Sequence, residues 1–296
     1  MAAGSTLPRR ALGRQLRKLR ERNEISQNGA ARIIETSPQT YGRLEEGKVT
    51  KTTDLIINAL ANAFRADDVE RRLLLDLAQE IRQAPTSKAG LWRAHADVIP
   101  KAFNHFLGLE ESASHVVSWQ TTLVPGLLQT REYRRALVWA EHPDMPPEEV
   151  ERVLDLVVKR QELLTNSDFR FDAILSEAVL HYLVGGPGVT SDQFRHLVEL
   201  SEIPNVSVRI VPFTAKSPVG LLTRSFVMFG FGPLPTSKQI EPPVVYVEGF
   251  VGDLYLERDV EVTQYVDVSQ KLADVALPEA ASRDLLLARI NKELGE

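Results

Sequence analysis

The chain predicts an all-α N-terminal domain of five helices followed by a mixed α+β C-terminal domain, and three observations carry that fold class. Two capped helix starts lie eleven residues apart, at Ser26 and Ser37. Charge is split: residues 1 to 52 hold 11 Lys and Arg against 5 Asp and Glu, the remainder 24 against 35, for a net charge of -5. From Leu91 onward, helix-like runs alternate with short runs of Val, Ile, Phe and Tyr, the pattern of a chain that mixes helix with strand. At 296 residues the chain exceeds one typical core. Two domains are therefore expected, 1–83 and 91–296, joined by a linker at 84–90.

Helix one is expected over Ala11 to Asn23, with an apolar row of Leu12, Leu16 and Leu19. Ser26 suits the cap of a second helix over about 27–34, and Ser37-Pro38 places a cap before a proline at the first helical position. Only about three residues remain for the turn between them. Ala31, Ile34, Tyr41 and Leu44 then meet inside the pair, leaving Gln39, Gly42, Arg43 and Glu46 on the exposed face of the third helix. A fourth helix carries the run Leu60-Ala61-Asn62-Ala63-Phe64. The fifth opens at Asp67, where Asp67-x-x-Glu70 is a capping-box variant, and runs to Gln83 behind Leu73, Leu74, Leu77 and Ile81. Ala84-Pro85-Thr86-Ser87-Lys88-Ala89-Gly90 breaks the helical pattern and sets the boundary.

That exposed face is short, polar and free of bulk near its start, as entry into a DNA major groove requires. Gln39 matches the N6/N7 edge of adenine and Arg43 the O6/N7 edge of guanine, with Pro38 and Gly42 beside them on the base-facing surface. Ser37, Thr40 and Gln27, at or next to helix N-termini, suit phosphate oxygens. Lys48, Lys51 and Arg17 add positive charge. A basic head on an acidic body fits a phosphate-binding module attached to something else; the other reading is that the arginines of helix one only solvate its face.

At these residues the chain resembles the Xre or phage-repressor type of helix-turn-helix, through Gln27, Ala31, Ser37 and Glu45-x-Gly47-Lys48. It departs from that pattern at Glu35, where a turn glycine is usual, at Ala30 for leucine and at Thr36 for valine. The resemblance implies an ion pair between Arg20 and Glu45 that holds helix one to the recognition helix; Arg20 as a free phosphate contact is the alternative. Repressors of this type read double-stranded DNA as homodimers on a pseudopalindromic operator, with half-sites about 34–36 Å apart or a multiple of it.

Beyond the boundary, helices are expected at Ala94 to Glu111, Arg131 to Glu141, Pro147 to Asn166, Glu177 to Leu183, Ser191 to Glu202, Val260 to Val275 and Glu279 to Leu294. Strands are expected at His115 to Gln120, Phe169 to Leu175, Val206 to Pro212, Ser225 to Phe231 and Val244 to Glu248. The alternation of Val206, Val208 and Ile210 with Ser207 and Arg209 argues for a sheet with one face on a core. A second resemblance covers most of this region through Trp119-Gln120-x-x-Leu123-Val124-Pro125-Gly126-Leu127-Leu128-Gln129-Thr130-x-x-Tyr133, Ser176-Glu177-Ala178-x-Leu180, Ile203-Pro204-Asn205-Val206 and Val244-Val245-Tyr246-Val247-Glu248. These blocks resemble an otherwise uncharacterised domain that follows an Xre helix-turn-helix in filamentous high-GC Gram-positive bacteria. The resemblance implies an antitoxin-like transcriptional regulator, linked to development and antibiotic production, that binds a small acidic protein encoded nearby.

Candidate partner or ligand contacts are Trp119, Leu123, Pro125, Gly126, Leu127, Leu128, Gln129, Tyr133, Glu177, Tyr246 and Glu248. For the apolar loop around Pro125-Gly126, burial within the domain is the favoured reading and a partner face the other. Glu177 and His181 are read first as a structural pair, and Val184-Gly185-Gly186-Pro187-Gly188 as a plain turn. Leu285, Leu286, Leu287 and Ile290 form either a dimer contact or a core helix. There is no His-Glu-x-x-His stretch, no Gly-x-Ser-x-Gly elbow and no cysteine, so no metal, no cofactor and no enzyme activity are expected. A hydrolase using Glu177, His181 or Glu248 is the alternative. Absence of cysteine, of a signal-like segment after Met1 and of a long apolar run points to a cytoplasmic protein without a membrane span.

Overall fold

A computed structural model describes residues 6–48, 50–83, 103–249 and 252–293. The expected linker at 84–90 and the first part of the helix expected from Ala94 lie outside the described residues. Contacts separate two compact units. One gathers Met1–Arg93, His105–Ser112 and Phe231–Glu241, and the other holds the rest of the chain.

In the first unit the N-terminal helices are α1 (Thr6–Arg22), α2 (Gln27–Ile33), α3 (Pro38–Glu45), α4 (Asp54–Ala63) and α5 (Asp68–Gln83). The local signals that specify them are satisfied. Ser26 Oγ accepts from Gly29 N at 3.0 Å and Ser37 Oγ from Thr40 N at 3.1 Å, with Pro38 following as the first helical residue. Asp67 Oδ1 accepts from Val69 N and Glu70 N, and Glu70 returns a carboxylate oxygen to Asp67 N at 3.0 Å, which closes the capping box at the head of α5. Helix α1 begins at Thr6, five residues earlier than the sequence suggested, because Leu7 and Pro8 are themselves buried and extend its packed face.

Helix α1 packs on α3 and α5, and α4 on α2 and α5. Leu12, Leu16, Tyr41, Ile57, Leu60, Phe64 and Leu74 form the shared interior. Gly13 is where α1 meets the end of α3, since a Cβ there would sit 2.5 Å from the Glu45 carbonyl oxygen. Two further segments of sequence join this unit. The chain between Phe231 and Glu241 runs against α1 and α5: Glu80 Oε1 accepts from Thr236 N and Ser237 N at 2.7 and 2.6 Å, and Arg14 donates to Glu241 Oε1 at 2.8 Å.

The second unit is built on a six-stranded mixed sheet of order β3-β2-β1-β4-β5-β6, with β1 (His115–Gln120), β2 (Arg170–Ser176), β3 (Val206–Val211), β4 (Phe226–Gly230), β5 (Val244–Val247) and β6 (Leu254–Leu256). Before β1 comes α6 (Phe103–Ser112), whose residues from His105 onward group with the first unit. Strands β1, β2 and β3 are parallel, with α7 (Arg131–Glu141) and α8 (Pro147–Gln161) crossing from β1 to β2 and α9 (Pro187–Leu200) from β2 to β3. The other pairings are antiparallel. A short α10 (Val219–Leu222) leads into β4, and α11 (Asp259–Val275) and α12 (Glu279–Glu293) end the chain.

One face of the sheet carries Trp119, Ile174, Phe226 and Val245, which pack on Val262, Leu272 and Ala276 in and just after α11. The expectation of one covered face fits β3, whose burial alternates, but not β1, where Val116, Val117, Ser118 and Trp119 are all buried. A strand central in the sheet has both faces against protein. Arg209 on β3 answers the exposed end of α11 by donating to the carbonyls of Ala273, Ala276 and Leu277, which are the acceptors left open at a helix C-terminus. Leu286 and Ile290 of α12 are buried while Leu287 is half exposed, and α12 packs on α9 and β3. Core packing thus accounts for that helix.

Candidate nucleic-acid interface

The interface is assembled from α2, the turn after it, and α3. Ile34 ends α2, and Glu35 takes the left-handed conformation at φ 51°. Thr36 N then bonds back to Ala31 O at 2.9 Å. The turn therefore has the geometry that a glycine usually supplies, adopted by a glutamate at a cost of about 1–2 kcal/mol. At the other end of α3, Gly47 is also left-handed, at φ 66°, and Lys48 N closes onto Arg43 O at 2.9 Å. Both ends of the helix are fixed.

A buried carboxylate holds α3 in place. Glu45, 4% exposed, accepts from Arg20 Nε at 2.6 Å and from Arg20 Nη2 at 3.0 Å, a two-pronged contact from α1. Arg20, 8% exposed, also donates to Ile25 O at 2.9 Å, so it grips the loop before α2 as well. Burial pushes the Glu45 carboxyl up, but hydrogen bonds from Arg20 and Gln27 outweigh it and leave the group below its ordinary value. The same bond to Glu45 raises Arg20. Tyr41, buried beside them, is pushed up by desolvation and by the Glu45 charge.

Around this clamp the structure sorts the sequence-named residues. Gln39 and Arg43 are exposed on one face of α3, a turn apart. With Gln27, Pro38, Gly42, Glu46 and Lys48 they line a single open concavity of about 480 Å³. Gly42 lies on its floor, where a Cβ would make ordinary contact with Gln27 Oε1 at 3.7 Å. Five residues named for phosphate are partly engaged within the protein. Gln27 Nε2 donates to Glu45 Oε2 at 2.8 Å, the Ser37 and Thr40 hydroxyls share a 2.8 Å bond, and Lys48 Nζ pairs with Glu46 at 2.6 Å. Arg17 Nε lies 3.6 Å from Glu45 Oε2 with its side chain about half exposed, and Lys51 is exposed in the loop before α4. The Gln27 bond to Glu45 was not legible from spacing, because it crosses 18 residues of chain.

Most of the partner contacts named in the second unit are buried and belong to its own fold. Trp119, Leu127, Leu128, Gln129 and Tyr133 are each under 5% exposed, and Pro125 and Tyr246 are buried too. The loop from Val124 to Thr130 is tied down by polar groups. Gln193 donates to Leu128 O and accepts from Thr130 N, both at 2.7 Å; Gln161 donates to Gln129 O at 2.6 Å; and the Tyr133 hydroxyl accepts from Val124 N at 3.3 Å. Gly126 faces the Arg160 guanidinium with no room to spare, a Cβ there meeting it at 3.3 Å. Those residues are therefore withdrawn as partner contacts, because water and a partner are both excluded from them. Leu123 stays exposed.

Glu177 does not lie on the expected α-helix but in a 3₁₀ turn, Glu177–His181, capped by Ser176. Its Oε2 accepts from Phe213 N at 2.7 Å and its Oε1 lies 3.8 Å from His181 Nε2. Glu248 is exposed beyond β5, where partial desolvation and the neighbouring Asp253 and Glu141 raise its carboxyl.

A helix-turn-helix domain family matches residues 11–74, from within α1 through α4 into the first half of α5. This match fits a DNA-binding regulator. A second family, described as a domain of unknown function (DUF5753), matches residues 103–288, more than half of the chain. The protein belongs to the DUF5753 family. In this DUF5753 protein the matched region opens at α6 and takes in the whole mixed sheet with most of α12. Among curated proteins and solved structures, nothing matches it. No described helix is long and apolar enough to cross a membrane.

Proposed function

We propose that this DUF5753 protein is a sequence-specific transcriptional regulator of the Xre type, working in the cytoplasm as a homodimer on a pseudopalindromic operator. One observation carries the reading: Gln39 and Arg43 stand exposed on a helix whose two ends and inner face are immobilised by Gly47, Ser37 and the Arg20–Glu45 clamp. A rigid helix presenting two side chains with bidentate geometry suits direct reading of base edges. Lys51 and Arg17, both exposed, suit the flanking phosphates. Lys48 joins them when its pair with Glu46 yields to a phosphate. One such helix spans few base pairs, so two copies are needed for a site of useful length.

The second unit, on this reading, holds a small acidic partner protein encoded nearby, antitoxin-like in role, rather than carrying out a reaction. Partner binding then changes operator affinity, which requires unequal affinity of the partner for the DNA-bound and free states. The test is selection from random duplexes by the full-length chain, followed by footprinting of the selected sequence. The expected result is a two-fold repeated motif protected on one face of the duplex, with half-sites about one helical turn or a multiple apart. Recovery of no common motif would overturn the proposal.

A further inference from the structure

Because β1, β2 and β3 are parallel, the segments that follow them leave the sheet at one edge, and the chain enters antiparallel β4 from that same edge. In open α/β sheets this carboxyl edge is where ligands are received. Here it is strongly apolar. Leu221 and Leu222 are 88% and 82% exposed, Phe213 is 62% exposed and Tyr182 51%. The Phe213 ring packs against His181, the neighbour of Tyr182, at 5.3 Å, so the loops after β2 and β3 meet. Gly220 beneath the two leucines lies against Trp119, its Cβ position 3.3 Å from the indole, and the indole Nε1 donates to Thr223 O at 3.0 Å. The leucines are thereby held outward on a fixed base. Water opposes leaving such a patch open.

The charges on the same segment say what covers it. Between Phe213 and Ser225 there are two cations, Lys216 and Arg224, and no acid, and both cations are exposed; Glu177, beside Phe213, has one carboxylate oxygen taken by Phe213 N and the other facing His181. A symmetric contact with a second copy would set these cations against themselves, because a two-fold interface brings the same patch from both sides. A lipid surface calls for clusters of about 4–8 basic residues, more than the two present. We infer that the 213–224 segment, with Tyr182 beside it, is the docking site for an acidic polypeptide that inserts large apolar side chains between Phe213 and the Leu221-Leu222 pair. This rests on the reading that the second unit binds a protein partner and names the surface that does so. Trp119, first named as a contact, is buried beneath it.

The experiment titrates the separately purified small acidic protein of the neighbouring reading frame into full-length wild type, L221S/L222S and K216E/R224E. Isothermal titration calorimetry reports binding, so that no label touches the segment. Both pairs of substitutions fall on exposed positions, and circular dichroism checks that each variant keeps its fold. Wild type is expected to bind, L221S/L222S to lose at least about 30-fold in affinity, and K216E/R224E at least about tenfold, with the charge effect shrinking at high salt. A complex that forms with unchanged affinity in both variants keeps the partner and overturns this site. No complex with wild type removes the partner reading and the site together. A wild-type dimer that L221S/L222S turns into a monomer, or tighter binding to phosphatidylglycerol vesicles than to the protein, also overturns the assignment.

Discussion

The two units bury polar side chains for different ends. In the helical unit, buried Glu45 pairs with buried Arg20 and takes a bond from Gln27 at the margin of the open face, and so fixes the angle of a helix whose outer face stays open. In the sheet unit, buried Gln193 and the half-buried Gln161 and Arg209 tie off loop and helix-end backbone of the same fold. Buried hydrogen bonding thus marks scaffold in both. The difference lies in what is left outside: polar side chains of base-reading type on α3, and bare leucine and phenylalanine on the carboxyl edge of the sheet. The first suits nucleic acid and the second a polypeptide.

The comparison can be broken at its largest element first. Trp119 is fully buried between β1 and α11, and W119A should cost about 3–5 kcal/mol. Urea unfolding followed by near-ultraviolet circular dichroism checks the size of the loss, and a cost under about 1 kcal/mol would remove Trp119 from the core. In the helical unit, E45A leaves Arg20 without its counter-charge and should cost about 3–5 kcal/mol. The double change R20M/E45M, which removes both charges, should recover most of that. A double variant no better than the single one would mean that packing, not charge, holds α3.

Acid sharpens the contrast. The Glu45 carboxyl has a folded pKa below its unfolded value, so its stabilisation is fully present above about pH 4.5 and is lost as pH falls through the folded value. Acid unfolding of wild type and E45Q, followed by circular dichroism, should show the variant less stable at neutral pH, with the gap closing as the medium is acidified below pH 4.5. A gap that stays constant would show that Glu45 is not held ionised by its partners. The smallest expected effect belongs to the turn. E35G relieves a left-handed glutamate and should stabilise by up to about 1 kcal/mol, read as a shift in urea midpoint. A destabilised E35G would point to an unrecognised role for that side chain.

How far each unit was legible follows from how local its signals are. Caps, the capping box and the proline after Ser37 lie within four residues of what they specify, and α2, α3 and α5 begin where those signals place them. In the sheet unit, β1 and α7 match expectation at both ends, since each has a long periodic run. Strand β6 was missed because Leu254–Leu256 is three residues long and exists by pairing with β5. Helix α9 begins at Pro187, four residues before the expected start, because the left-handed Gly186 caps it and Pro187 suits a first helical turn. The helix expected through Asn166 tightens into a 3₁₀ turn at Glu162. On the candidate interface, the outward position of Gln39 and Arg43 followed from helical spacing. The inward turn of Gln27 did not, being fixed by a carboxylate one helix away.

The most direct test measures the ratio of specific to non-specific DNA affinity at one fixed salt concentration, by fluorescence anisotropy with the selected operator and a scrambled duplex. For Q39A/R43A the ratio should fall by at least about 30-fold, from two lost contacts worth roughly 1–3 kcal/mol each, while scrambled-duplex binding and the thermal midpoint stay close to wild type. A ratio that survives both alanines would contradict the assignment of α3 as the reading helix.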